Sequence, residues 1–266
     1  MLSFESETER FADVGGLHNL KEWLGRRRDA FVDAKNKDRP KGILMLGIQG
    51  SGKSLSARAV AGLWQLPLLR LDMSAIYNKF IGESERNLRE ALALADVMAP
   101  CVLWIDEIEK SIHASANDDG VSRRLLGSLL TWMSERQAAV FVVATANDIS
   151  ALPAELLRKG RFDEIFFVDL PDKTVRRSIF EIHLKRRQHS PADFSLDELA
   201  NASEGFSGAE IEQAIVAALY RAAERGDKLN DTHILDEICQ TYPLSVTMAE
   251  QVEKLRNWAM SRAVGA

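Results

Sequence analysis

Cysteine is scarce in this chain: Cys101 and Cys239 are the only two in 266 residues. Two thiols give neither a disulfide framework nor the spacing of a metal site. Cys101 heads a hydrophobic run, where a buried thiol is the expected reading. Long apolar runs are missing too, and none reaches the roughly 20 residues that cross a bilayer. The opening residues MLSFESETER lack the charged-then-apolar order of a secretion signal. These absences point to a reduced, cytoplasmic compartment. An excess of positive charge is also absent, since 34 Lys and Arg face 39 Asp and Glu for a net charge of −5. Whole-chain composition therefore leaves no footprint for nucleic acid. The basic runs Arg26–Arg28 and Lys185–Arg187 read as solvated helix faces. Internal repeats and low-complexity segments are lacking as well.

What is present suffices for one large core or two smaller ones, with 46% hydrophobic and 27% charged residues. A polar, helical stretch is expected up to Asp38, broken by Pro40-Lys41-Gly42. Strands and helices then alternate. Strands are expected at Ile43–Gly47, Pro67–Asp72, Cys101–Ile105, Val140–Ala144 and Ile165–Val168. Helices are expected at Lys53–Leu63, Glu83–Met98, Ser122–Arg136 and, briefly, Ala154–Leu157. Near-continuous apolar strands separated by helices imply an α/β fold, a five-stranded parallel sheet sandwiched by helices. After Pro171 the pattern turns helical: Lys173–Arg187, Leu196–Ala202, Gly208–Arg225, Asp231–Gln240 and Thr247–Ser261. The expected division is a large α/β domain over 1–171 and a small helical lid over 172–266. A ligand would sit at the switch point of the sheet, beneath the lid.

The most informative stretch is GIQGSGKS, Gly47 to Ser54. It lies between an apolar strand and a helix, with the G-x-x-x-x-G-K-[ST] spacing of a phosphate-binding loop. Glycines such as Gly47, Gly50 and Gly52 let successive N–H groups of Gln49, Ser51 and their neighbours turn inward on an anion. The helix start at Lys53-Ser54-Leu55 adds its dipole and its unpaired N–H groups. Lys53 would reach the β- and γ-phosphates, and Ser54 would offer its hydroxyl to Mg²⁺. Such a loop needs a metal partner and a group that polarises water. CVLWIDE supplies both: Asp106 for the Mg²⁺ shell and Glu107 for the water. The following strand ends in Thr145-Ala146-Asn147. The Asn147 amide there suits either a γ-phosphate contact or a plain turn. Arg158 and Arg161, on spacing alone, read as surface arginines.

Taken together these pieces resemble the AAA family of ATPases, in its AAA proper division. FADVGGL, GIQGSGKS, KFIGESERNLRE, CVLWIDEIEK, ATANDISALPAELLRKGRFDEI and GFSGAEIE occur in family order, from about Phe11 to Trp258. The resemblance implies an ATP hydrolase that takes ATP and Mg²⁺. Its rings are homo-oligomers, expected as hexamers, that remodel, unfold or translocate a protein substrate. Within it, Asn147 is the sensor. Arg158 and Arg161 match the two arginine fingers that reach the γ-phosphate of the neighbouring subunit. Asp13, Gly15 and Gly16 match the segment beside the adenine, and His183 a histidine near the ribose and base. Gly208 and Ala209 match the lid turn that approaches the nucleotide; no arginine follows them, so no basic second sensor is assigned. Lys79, Phe80 and Ile81 match the first pore loop, where an exposed aromatic grips an extended polypeptide. The second pore loop falls within His113–Val121 and carries Asp118 and Asp119. No H-E-x-x-H occurs, so the chain is not in itself a membrane metalloprotease of the family. The motif wording resembles most closely the AAA proteins encoded in cyanobacteria and algal plastids and their bacterial relatives. Those usually carry a further N-terminal region, whereas this chain begins almost at FADVGG. The resemblance leaves a second reading open, a nucleotide-gated switch or scaffold that captures a protein partner or adaptor without threading it. A membrane partner is not expected, and the acidic balance disfavours a DNA-loading role.

Overall fold

A computed structural model describes residues 2–6, 14–33, 35–36, 38–76, 83–110, 119–158 and 160–266. Its sheet runs in the order β1-β3-β4-β5-β2-β6-β7. The strands are β1 (Leu2–Glu5), β2 (Gly42–Gly47), β3 (Leu68–Leu71), β4 (Cys101–Ile105), β5 (Val140–Ala146), β6 (Glu164–Val168) and β7 (Val264–Gly265). The five inner strands pair in parallel, as their unbroken apolar runs require. Two short edge strands extend this sheet. β1 pairs antiparallel with β3, and β7 pairs parallel with β6.

Successive side chains of a strand point to opposite faces, so each run feeds two cores at once. Leu44 and Leu46 pack with Leu103, Ile105, Val142 and Ala144 on one face. Helices α3 (Glu83–Val97) and α4 (Asp119–Glu135) cover that face through Leu88, Leu92, Leu125, Leu129 and Met133. Ile43 and Met45 pack with Val102, Trp104, Phe141 and Phe166 on the other. There α1 (His18–Val32) and α2 (Lys53–Trp64) contribute Leu20, Leu24, Phe31 and Trp64. The Trp64 ring sits 4.5 Å from that of Phe141 and 5.0 Å from that of Phe31.

The expected short helix over Ala154–Leu157 is a series of turns. Leu156, Leu157 and Arg158 each donate to the carbonyl three residues back, and no α-helical ladder forms. Beyond β6 the chain forms α5 (Lys173–Arg186), α6 (Leu196–Ala202), α7 (Gly208–Arg225) and α8 (Asp231–Gln240). These share their own core, built around Phe180, Leu199, Phe206, Ile211, Ile215 and Ile234. Ser207 caps α7 in a reciprocal box with Glu210, which places the α7 N-terminus firmly. The remainder, α9 (Leu244–Thr247) and α10 (Ala249–Ala259), returns to the sheet. Val252 and Leu255 join the α/β core, not the core of the lid. Arg256 bridges Asp169 at 2.9 Å, and Ala266 N–H donates to Phe167 at 3.0 Å. The lid expected over 172–266 thus has its own core only up to about α8.

Candidate functional site

The loop after β2 lies at the carboxyl end of the central strands, with β5 between β2 and the acidic strand β4. Open α/β sheets bind ligands at this end. A cavity of about 430 Å³ opens there. At one end it is lined by residues 49–55 with Asp106, Glu107, Thr145 and Asn147. It is also lined by Val14, Gly15, Ile179, Ile182, His183, Arg186 and Glu212, and by Gly208 and Ala209, which lie against Gly50 of the loop.

The phosphate end is built for an anion. Helix α2 is preceded by Gly52 at its N-cap, which has φ +96° and can offer no side-chain cap. Its first N–H groups therefore lack capping partners, and they face the cavity. The Ser51 hydroxyl is buried without a hydrogen-bond partner. Lys53 is only 6% exposed, and its ammonium donates to the carbonyls of Gly47 at 2.9 Å and Ile48 at 2.6 Å. Burial pushes Lys53 down from 10.5 to about 8, opposed by the carboxylates Glu109, Asp106 and Glu107.

That burial has a measurable consequence. Between pH 8 and 10.5 the unfolded chain holds a proton on Lys53 that the folded chain has released. Stability of the nucleotide-free protein therefore rises with pH through that window, and the full penalty, of order 3 kcal/mol, is present below it. Lys53→Met should remove this part of the slope and stabilise the free protein at pH 7. It should also abolish stabilisation by ATP. Urea unfolding at pH 7.5 and 9.5, with and without ATP, measures both; equal pH slopes for the two proteins would refute the assignment.

The acidic end is tied together by one hydroxyl. Thr145, 1% exposed, donates to Asp106 Oδ1 at 2.7 Å and accepts from the Glu107 N–H at 2.9 Å. Ser54 donates to the same Asp106 oxygen at 3.1 Å. Arg70 approaches the other oxygen at 3.5 Å. Glu107 adopts φ +46°, rare for a non-glycine residue. Its carboxylate accepts from Asn147 Nδ2 at 2.8 Å and pairs with Lys110. Glu109 lies behind it, accepting from the Asn147 N–H at 2.9 Å. Burial raises its carboxyl above the usual range, and its second oxygen has no partner.

The residue types suit Mg²⁺ held jointly by protein and phosphate. Ser54 and Asp106 offer two hard oxygens beside the anion cradle, and no group of three or more His, Cys, Asp or Glu able to hold a metal ion occurs among the described residues. Magnesium is commonly held through one or two protein oxygens plus substrate phosphates.

Most residues expected from the sequence line this cavity: Gly15, Gln49, Gly50, Ser51, Gly52, Lys53, Ser54, Leu55, Asp106, Glu107, Asn147, His183, Gly208 and Ala209. Gly47 lies beneath the loop, close against Val168, where a Cβ would meet the carbonyl at 2.1 Å. Gly16 packs on Val175 beside a neighbouring groove instead. Arg158 is exposed, and Arg161 donates to the Leu130 carbonyl on α4; neither lines the cavity. Asp13, Lys79, Phe80 and Ile81 lie outside the described residues, as does most of the second expected pore loop. Sequence reasoning missed Thr145, Glu109, Arg70 and Glu212. A lone threonine in the buried strand VFVVATA was the one signal available for Thr145.

A phosphate-loop α/β domain with a helical lid over its nucleotide cavity is the class that fold and site define. Residues 43–170 match the family described as ATPase family associated with various cellular activities (AAA), and residues 193–237 match the AAA+ lid domain. The chain belongs to the AAA family, and it carries that family's ATPase and lid domains. It is similar to the uncharacterized AAA domain-containing protein ycf46 of Pyropia yezoensis, 46% identical over 97% of this chain and 54% of that protein. Its counterpart in Trieres chinensis is 44% identical over 98% and 54%. The proteasome-activating nucleotidase of Aeropyrum pernix is 37% identical over 82% of this chain and 56% of that protein. The chain spans about half the length of these curated relatives. No helix among its described residues is long and apolar enough to cross a membrane.

Proposed function

We propose that this chain is a Mg²⁺-dependent ATP hydrolase that works as a hexameric ring and remodels, unfolds or translocates a protein. The observation that carries the chemistry is the single hydrogen-bonded line Ser54–Asp106–Thr145–Glu107–Asn147 at one cavity end. Lys53 and the uncapped α2 N-terminus hold the phosphates. Ser54 and Asp106 hold the metal, which when bound offsets charge developing on the phosphate oxygens. Glu107 takes hydrogen-bond hold of the attacking water, and Asn147 fixes the Glu107 carboxylate that does so. Arg158 and Arg161 lie away from their own cavity, consistent with service to a neighbouring one.

A nucleotide-gated switch is the second reading, favoured by one contact. The Ala209 N–H donates to the Gly50 carbonyl at 3.1 Å, and a Cβ on Gly50 would meet Ser207 at 2.9 Å. The phosphate loop and the start of the lid are in direct touch, so phosphate binding acts on the lid without any threading. Phe80→Ala separates the readings. Threading predicts retained ATPase with substrate unfolding reduced about tenfold or more. Unfolding at the wild-type rate would remove the threading model.

A further inference from the structure

Four hydrogen bonds lash the turn after β4 to the end of β5. The Glu107 N–H donates to Thr145 Oγ1 and the Ile108 N–H to the Thr145 carbonyl, both at 2.9 Å. Asn147 Nδ2 donates to Glu107 Oε1 at 2.8 Å. The fourth bond starts from the same asparagine, whose backbone N–H donates to Glu109 Oε1 at 2.9 Å. Two carboxylates of one turn thus grip Asn147, Glu107 by its side chain and Glu109 by its backbone.

Asn147 is the first residue beyond β5, and its N–H goes to Glu109. The aim of an amide side chain depends on where its backbone is held. Glu107 needs that aim, because its φ of +46° is a conformation that persists only where the surroundings hold it. Glu109 is a costly anchor. It is 7% exposed, and its Oε2 is buried without a partner. Burial above all raises its carboxyl, and the neighbouring charge of Glu107 adds to that. A buried carboxylate with an orphan oxygen costs a fold stability, and such costs collect at functional sites. Its charge also acts on Lys53, more strongly than those of Asp106 and Glu107 do.

We propose that Glu109 is a positioning residue, which holds the Asn147 backbone so that the Asn147 amide keeps the Glu107 carboxylate aimed at the attacking water. The inference rests on the roles proposed above for Glu107 and Asn147.

Two substitutions of Glu109 in the whole chain test it. Glu109→Gln keeps an oxygen for the Asn147 N–H and removes the charge; Glu109→Leu removes the acceptor. Steady-state ATPase with Mg²⁺ should show kcat lowered about 10- to 100-fold in Glu109→Leu, the scale of a misplaced group, with KM for ATP raised no more than about threefold. Glu109→Gln should keep kcat within about threefold of wild type. In an Asn147→Ala background, Glu109→Leu should cost no more than about a further twofold, because the two residues act through one path. The nucleotide-free protein gives an independent reading. The Asn147 side-chain amide resonances should move in Glu109→Leu toward their positions in Glu107→Ala, and stay in place in Glu109→Gln. Wild-type kcat in Glu109→Leu, unmoved amide resonances in that variant, or losses that multiply in the double variant would each overturn the proposal. So would a Glu109→Gln variant as slow as Glu109→Leu, since charge and not the hydrogen bond would then be the cause. Wild-type turnover by Asn147→Ala alone is a distinct outcome, which overturns the role given to Asn147 and the proposal with it.

Discussion

Glu107→Gln is expected to bind ATP, to assemble, and to lose turnover by about 10²- to 10⁴-fold, the range of a positioned general base. The amide is nearly isosteric with the carboxylate and keeps an oxygen for Asn147 Nδ2, now 2.8 Å from Glu107. The backbone bond from residue 107 to Thr145 is untouched, so Asp106 keeps its setting. What disappears is the capacity to draw a proton from water. Lys110 loses its partner as well, but that lysine side chain is 71% exposed and its pair contributes little. Single-turnover ATPase measured beside nucleotide affinity separates the two effects. Turnover at the wild-type rate would show that another group activates the water. The same variant, held in ATP, should retain its client in a pull-down.

Arg158→Ala is expected to lower ATPase by about 10³-fold or more, the scale of an arginine finger, while nucleotide affinity of the isolated subunit stays the same. Arg158 is the cleaner of the two arginines to change. It is exposed, whereas Arg161 donates to the Leu130 carbonyl and its loss also costs about 1 kcal/mol of stability. Action in trans is tested by mixing. A subunit with Lys53→Met keeps its arginines, and a subunit with Arg158→Ala keeps its phosphate loop. On the proposed reading neither should hydrolyse ATP alone, whereas a mixed assembly would contain complete sites. Recovery of activity on mixing, and specific activity that rises with protein concentration, are the expected results. No recovery, with activity independent of concentration, would place the arginines outside the reaction.

Those two residues mark where sequence reading works and where it stops. The β2 loop was legible because one strand, fixed glycine spacing and one helix start must coincide for it to work. The five inner strands were legible because burial on both faces leaves an unbroken apolar run. The edge strands β1 and β7 were not, because strands of four and two residues that are largely exposed carry no such run. The turns at 153–158 deceived for a related reason. ALPAELL has helical residues, but Pro153 and the tight i→i−3 bonds leave room for only a few turns. Asp106 and Glu107 could be assigned from their place at a strand end. Thr145 could not, since its role lies in reaching across from β5 to β4, a pairing the chain order does not state. Glu212 was hidden for the same reason: its partners are His183 on α5 and Arg187 just past the end of that helix.

The return of the chain to the sheet after α8 alters what the lid can do. A domain joined at one end swings through any arc its linker allows. This lid is fastened twice to the same slab, through β6 at its entrance and through α10 and β7 at its exit, and the Arg256–Asp169 bridge pins the two fastenings to each other. Two joints on one slab leave the lid fewer directions in which to move than a single joint would. The contact between Ala209 and Gly50 is therefore held from both ends of the lid and not by one linker alone.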